Sequence, residues 1–165
     1  MSRTAAIAYS QYFNQKKEPL AEARSKDYLG FASYVMRSPI LSNITIVIVE
    51  DHSDFRASLE RLLHLEGAIV VARANAFEGL ETVKEHHPDL VLSDISLPLR
   101  DGFELLEDIR ALETEVGIHI PVIAMTAYSG VYDSRRTIAA SFQAHLNKPF
   151  TSQQLLESIK LVLKL

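Results

Sequence analysis

Ile44-Thr45-Ile46-Val47-Ile48-Val49-Glu50-Asp51 is the stretch on which the fold turns. Its first six side chains are β-branched, and five of them are apolar. Such residues favour extended backbone. A half-buried strand alternates apolar with polar residues, and this run does not. It suits a strand covered on both faces, as in a parallel sheet. Two acids, Glu50 and Asp51, end it abruptly.

The pattern extends from there. From Ser53 to Glu66, Phe55, Leu59, Leu62, Leu63 and Leu65 recur at helical spacing, and Gly67 stops them. Ala68 to Ala72 reads as a strand. Phe77, Leu80, Val83 and Lys84 belong to a second helix, closed by Pro88. Leu90 to Leu92 is a third strand, ending in Ser93 and Asp94. Pro98 and the turn pair Asp101-Gly102 follow, and the turn pair is assigned no chemistry. A helix from Phe103 to Glu115 places Leu105, Leu106, Ile109 and Leu112 on a buried face. Pro121 to Met125 is a fourth strand, Val131 to Ser141 a weaker helix, and Ala144 to Asn147 a fifth strand. The last helix carries Leu155, Leu156, Ile159, Val162 and Leu163, with Thr151 or Ser152 as its N-cap. Five strand–helix alternations imply an α/β domain, an open doubly wound parallel sheet with helices on both faces.

In such sheets, function collects at the carboxyl ends of the strands. Glu50 and Asp51 follow strand one, Asp94 follows strand three, Thr126-Ala127 follows strand four, and Lys148-Pro149 follows strand five. Three acids, a hydroxyl and an ammonium would meet in one crevice. Carboxylates about 4–5 Å apart repel by roughly 3–4 kcal/mol per pair at an effective dielectric near 20. A cation relieves that repulsion, and oxygen ligands without His or Cys suit Mg²⁺. A carboxylate beside Mg²⁺ and lysine is a nucleophile toward phosphorus, and the product is an acyl phosphate. Each residue also has a plainer reading: Asp94 as a solvated turn acid, Thr126 as a helix cap, Lys148 as a snorkelling surface lysine. Their joint placement at successive strand ends favours the chemical reading.

The run Val49-Glu50-Asp51, the run Asp94-Ile95-Ser96-Leu97-Pro98-Leu99-Arg100-Asp101-Gly102, the pair Thr126-Ala127 and the trio Lys148-Pro149-Phe150 together resemble two-component response regulator receiver domains. The likeness covers about residues 43–165. It implies strand order 2-1-3-4-5, the flavodoxin-like order. It implies that Asp94 accepts a phosphoryl group from a sensor histidine kinase or a histidine phosphotransfer protein. Asp51 would then bind Mg²⁺ directly, Glu50 mainly through a water, and the Ser96 carbonyl would complete the protein ligands with Asp94. Thr126 and Lys148 would meet the phosphoryl group, Pro149 would follow a cis peptide bond, and Thr126 with His145 would form the switch. The output surface would be the helix over 131–141, strand five and the last helix.

The sequence departs from the family pattern in places. Ser141 stands where a glycine usually lets the backbone turn left-handed. His145 replaces the usual Tyr or Phe of the switch, and a structural histidine is the competing reading. Ser96 and Tyr128 would face the attacking water, where a bulky Tyr128 would slow hydrolysis of the acyl phosphate. The alternative enzyme reading is an Mg²⁺-dependent aspartyl-nucleophile phosphatase. It expects an acid two residues after the nucleophile, where Ser96 stands. A mononucleotide-binding reading lacks a phosphate loop after strand one, where Glu50 and Asp51 would repel phosphate.

Charge divides the 165-residue chain. Residues 1–43 hold six basic and three acidic side chains, a balance of +3, and residues 44–165 stand at −7. Six of the 13 Phe and Tyr residues also lie in the first 43. Tyr9, Tyr12 and Phe13 form one helical stripe, and Tyr28, Phe31, Tyr34 and Val35 another. The expected division is an amino-terminal extension, 1–43, partly helical or disordered, and a receiver, 44–165. The extension is expected to pack on the receiver, on a second copy in a homodimer, or on a partner. With Leu165 closing the chain, no output domain is expected, so signals pass through protein contacts to a downstream target. A net charge of −4 argues against nucleic acid, no apolar run reaches membrane-spanning length, and the absence of cysteine fits a cytoplasmic protein.

Overall fold

The computed structural model describes residues 39–127 and 141–165. The aromatic stripes of the extension, Tyr128 and nearly all of the helix expected over 131–141 lie outside these residues. Residues Ile40–Leu165 form one compact unit.

Within it, β1 (Thr45–Val49), α1 (Ser53–Leu65), β2 (Ile69–Arg73), α2 (Ala76–His86), β3 (Leu90–Asp94), α3 (Gly102–Val116), β4 (Val122–Thr126), β5 (Ala144–Asn147) and α4 (Ser152–Leu163) follow in chain order. The five strands form one parallel sheet in the order β2-β1-β3-β4-β5. The expected fold class and strand order are both found.

The unbroken apolar run of β1 has a direct cause. Side chains alternate between the faces of a strand. Ile46 and Ile48 enter one core with Leu59 and Leu63 of α1 and Leu155 and Ile159 of α4. Val47 and Val49 enter the other with Val83 of α2 and Leu105 and Ile109 of α3. The strand is buried on both faces, so neither parity tolerates a polar residue.

Local chemistry sets the helix ends. Asp101 and Glu104 form a reciprocal capping box at the start of α3, and Thr151 and Gln154 form another at α4. Asn75 caps α2 by accepting from the Glu78 N–H. The chain leaves α1 through Gly67 at φ 91° and α3 through Gly117 at φ 74°.

Two apolar members of the helical stripes are exposed. Leu65 is 38% exposed. It lies about 120° around α1 from Leu59, off the stripe that Leu62 and Leu63 fill. Phe77 is 54% exposed in the first turn of α2, where the Arg100 guanidinium lies 5.7 Å from its ring centre.

Leu41 is fully buried against the α1–α4 core, and its N–H donates to the Glu66 carbonyl at 2.9 Å. Leu41→Ala is expected to lower unfolding free energy by about 2–5 kcal/mol, read from the urea midpoint. An unchanged midpoint would show that this residue is not part of the folded unit.

Candidate functional site

The sheet delivers its polar residues to one edge. β1 ends at Val49, and the Glu50 N–H still donates to the Arg73 carbonyl at 3.1 Å. The buried backbone of β1 therefore continues to hold Glu50, and its side chain is 1% exposed. Asp51 beside it is exposed. Asp94 is the last residue of β3 and is 6% exposed. Thr126 ends β4 and is buried, with Ala127 exposed after it. Lys148 follows β5, and its N–H donates to the Thr126 carbonyl at 2.6 Å.

These residues converge. Carboxylate oxygens of Glu50, Asp51 and Asp94 lie within 4.8 Å of one another. The Lys148 ammonium donates to Glu50 Oε2 at 2.6 Å and to Asp94 Oδ2 at 2.6 Å. The other Asp94 oxygen, Oδ1, accepts from the Ser96 N–H at 2.9 Å. The Lys148-Pro149 peptide bond is cis.

Charge explains the state of these groups. Burial pushes the Glu50 carboxyl above its usual value, and the hydrogen bond from Lys148 only partly offsets this. Burial alone would lower the Lys148 ammonium, but its bonds to Asp94 and Glu50 outweigh burial and raise it. Three carboxylates face one ammonium. The cluster therefore carries surplus negative charge and is built of hard oxygen donors, which fits a small divalent cation such as Mg²⁺.

Three supporting contacts were not legible in the motifs. Arg56, on α1, donates from Nη1 to the Glu50 carbonyl at 2.6 Å and to the Asp51 carbonyl at 3.0 Å. It pins the backbone that carries both acids. Phe55 places its ring centre 4.8 Å from the Lys148 ammonium nitrogen. Gly102 lies so close to β3 that an added Cβ would stand 2.3 Å from the Asp94 carbonyl oxygen. That oxygen already accepts from the Ser93 hydroxyl at 2.9 Å, and the Gly102 N–H donates to the Ile95 carbonyl at 2.9 Å. Asp101-Gly102 therefore does more than turn the chain: it seats the loop 95–101 against Asp94.

His145 stands apart from the acids. It is exposed on β5 and lines a groove of about 400 Å³ with Asn147, Phe150, Gln154 and Glu157. Ser141 has the left-handed backbone that its position implied, at φ 69°, and Arg110 Nη2 donates to its carbonyl at 3.1 Å.

Two outcomes follow from this packing. Gly102→Ala is expected to cost about 1–3 kcal/mol of stability, because backbone must move to admit the methyl. A urea midpoint equal to wild type would contradict the close approach. Glu50→Gln is expected to stabilise the metal-free protein by about 0.5–2 kcal/mol near neutral pH. A raised folded-state pKa means the native protein holds that proton more tightly than the unfolded chain. Wild-type stability therefore falls as pH rises from about 4.5 through the raised value, and the variant lacks this loss. The gap in Tm, measured in chelator, should close at low pH and open as pH rises. A gap independent of pH would contradict this account.

The sequence and the fold match known proteins. The family model for the response regulator receiver domain matches residues 46–160. The polar-differentiation response regulator DivK of Brucella abortus is 33% identical over 116 residues, which are 70% of this chain and 93% of that protein. The transcriptional regulatory protein PrrA of Mycobacterium tuberculosis is 34% identical over 72% of this chain, a match spanning 49% of that relative. A receiver domain protein from Methanospirillum hungatei superposes with a TM-score of 0.65 at 34% identity, covering 75% of this chain and 94% of that one. The receiver domain of a Pseudomonas aeruginosa sensor histidine kinase, described with a magnesium ion coordinated in its active-site cleft, gives 0.67 at 26% identity, covering 75% and 100%. With the sheet order, the acid cluster and the bridging lysine in place, this chain belongs to the response regulator receiver domain family of two-component signalling.

Proposed function

We propose that Asp94 is the phosphoryl acceptor and that the chain works as a phosphorylation-dependent switch rather than as a turnover enzyme. The observation that carries this is the Lys148 ammonium, held at 2.6 Å from both Glu50 and Asp94 at the carboxyl edge of the sheet. A fixed cation touching the nucleophile is placed to meet charge on an incoming phosphoryl group.

The transfer is a displacement at phosphorus. A carboxylate oxygen of Asp94 forms a bond to phosphorus as the bond from phosphorus to a donor histidine nitrogen breaks, and the bonding pair returns to the imidazole. The donor class is a sensor histidine kinase or a histidine phosphotransfer protein. Mg²⁺, held by Asp51, Asp94 and the Ser96 carbonyl with Glu50 close by, would supply charge neutralisation on the phosphoryl oxygens. Lys148 then pairs with one phosphoryl oxygen, and the Thr126 hydroxyl binds another.

Phosphorylation adds about −1.5 to −2 charges beside the buried Glu50 and the exposed Asp51. It withdraws Lys148 from Glu50 and draws Thr126 inward. Thr126 and Lys148 are joined through backbone, so β4 and the start of the β5–α4 loop respond together. His145 on the adjacent strand is the second element of the switch. The output is a change in the surface around 131–141, β5 and α4, read by a downstream protein or a second copy of the chain, as a shift between conformations. The place of action is the cytoplasm, where such donors act; no helix among the described residues is long and apolar enough to cross a membrane. The extension makes contacts of its own, and its last residues, from Ile40 on, fold with the receiver. An aspartyl phosphatase is disfavoured, because Ser96 offers no acid to a leaving group.

The test is intact-mass measurement after incubation with Mg²⁺ and a small phosphodonor such as acetyl phosphate. One added phosphoryl group is expected, labile to hydroxylamine, dependent on Mg²⁺ and lost in Asp94→Asn. Uptake that persists in Asp94→Asn, or steady phosphate release without accumulation, would contradict this reading.

A further inference from the structure

The first turns of α1 hold an aromatic side chain with no part in the chemistry assigned above. The Phe55 ring centre lies 4.8 Å from the Lys148 ammonium, within cation–π range. The same ring meets Phe150 edge-to-face at 5.6 Å and 64°. Phe150 is two residues beyond Lys148, across the cis peptide bond. Both rings pack against the α1–α4 core. The Lys148 side chain is 19% exposed, so water retains access to its ammonium.

A lysine chain has many rotamers, and two carboxylates alone do not choose among them when one changes its charge. The ring supplies a contact that does not change on phosphorylation. It holds the ammonium from the side of α1, and its own position is fixed by Phe150 and the core. We propose that Phe55 is a positioning residue: its ring holds the Lys148 ammonium at the phosphoacceptor, so that the cation stands ready for the transferred group. This rests on the receiver reading above.

The test separates shape from charge. Phenylalanines carrying one, two and three ring fluorines, introduced at position 55, nearly keep the shape while weakening the cation–π attraction stepwise. Two readouts are taken on the full chain: the Mg²⁺-dependent rate of phosphorylation by acetyl phosphate, and the NMR shift of the Lys148 ε-protons. The rate is expected to fall with each fluorine, by about two- to tenfold at the third, with Tm unchanged. In Phe55→Leu the Lys148 signal is expected to lose the ring's upfield shift. A flat rate series, or a Lys148 signal unmoved in Phe55→Leu, would overturn the proposal. If the wild-type chain takes up no phosphoryl group at all, the receiver reading fails, and the Lys148 signal alone still decides whether Phe55 holds the ammonium.

Discussion

One ammonium bridges two buried carboxylates, and the rest of the structure serves that contact. Lys148 reaches Glu50 and Asp94 at 2.6 Å each. Glu50 follows β1 and Asp94 ends β3, adjacent strands at the centre of the sheet, whereas Lys148 follows the edge strand β5. The bond therefore spans the sheet from edge to centre at its carboxyl side. Unpaired, two such acids would repel at this depth and one would take up a proton. The lysine offsets part of the cluster's charge and ties Glu50 and Asp94 together.

Everything around the bridge restricts movement. Two apolar cores clamp the strands from both faces. Arg56 pins the backbone of Glu50 and Asp51, the Ser96 N–H holds one Asp94 oxygen, and Gly102 presses on the Asp94 carbonyl. On the proposed reading, phosphorylation of Asp94 changes which oxygens the Lys148 ammonium meets, and its two present partners make that exchange possible. The same arrangement carries a stability penalty at Glu50, whose buried carboxyl resists ionisation. Stability is thus sacrificed where the charge is needed.

The legible part of the site was the part written in side chains at strand ends. Glu50 and Thr126 each end an apolar run and Asp94 and Lys148 stand at the ends of two further strand signals, so period and polarity exposed them together, and the structure gathers them at one edge. The parts missed act through backbone or across distant segments. Arg56 binds carbonyl oxygens, which no residue pattern records. Phe55 had the spacing of a core residue and is partly buried against the core, yet the same ring faces Lys148. Gly102 looked like half of a turn; its role is the absence of a methyl against Asp94. Phe77 fitted an apolar stripe but lies outside it, under Arg100. In each case a tertiary contact decided what local pattern could not.

The most direct measurement concerns where the phosphoryl group sits. Borohydride reduces an aspartyl phosphate to homoserine and so marks the acceptor permanently. After phosphorylation in Mg²⁺ and reduction, tandem mass spectrometry should find homoserine at position 94, with Glu50 and Asp51 intact. A mark at Asp51 or elsewhere, or phosphate uptake with no homoserine, would contradict an acceptor built around the Lys148 bridge.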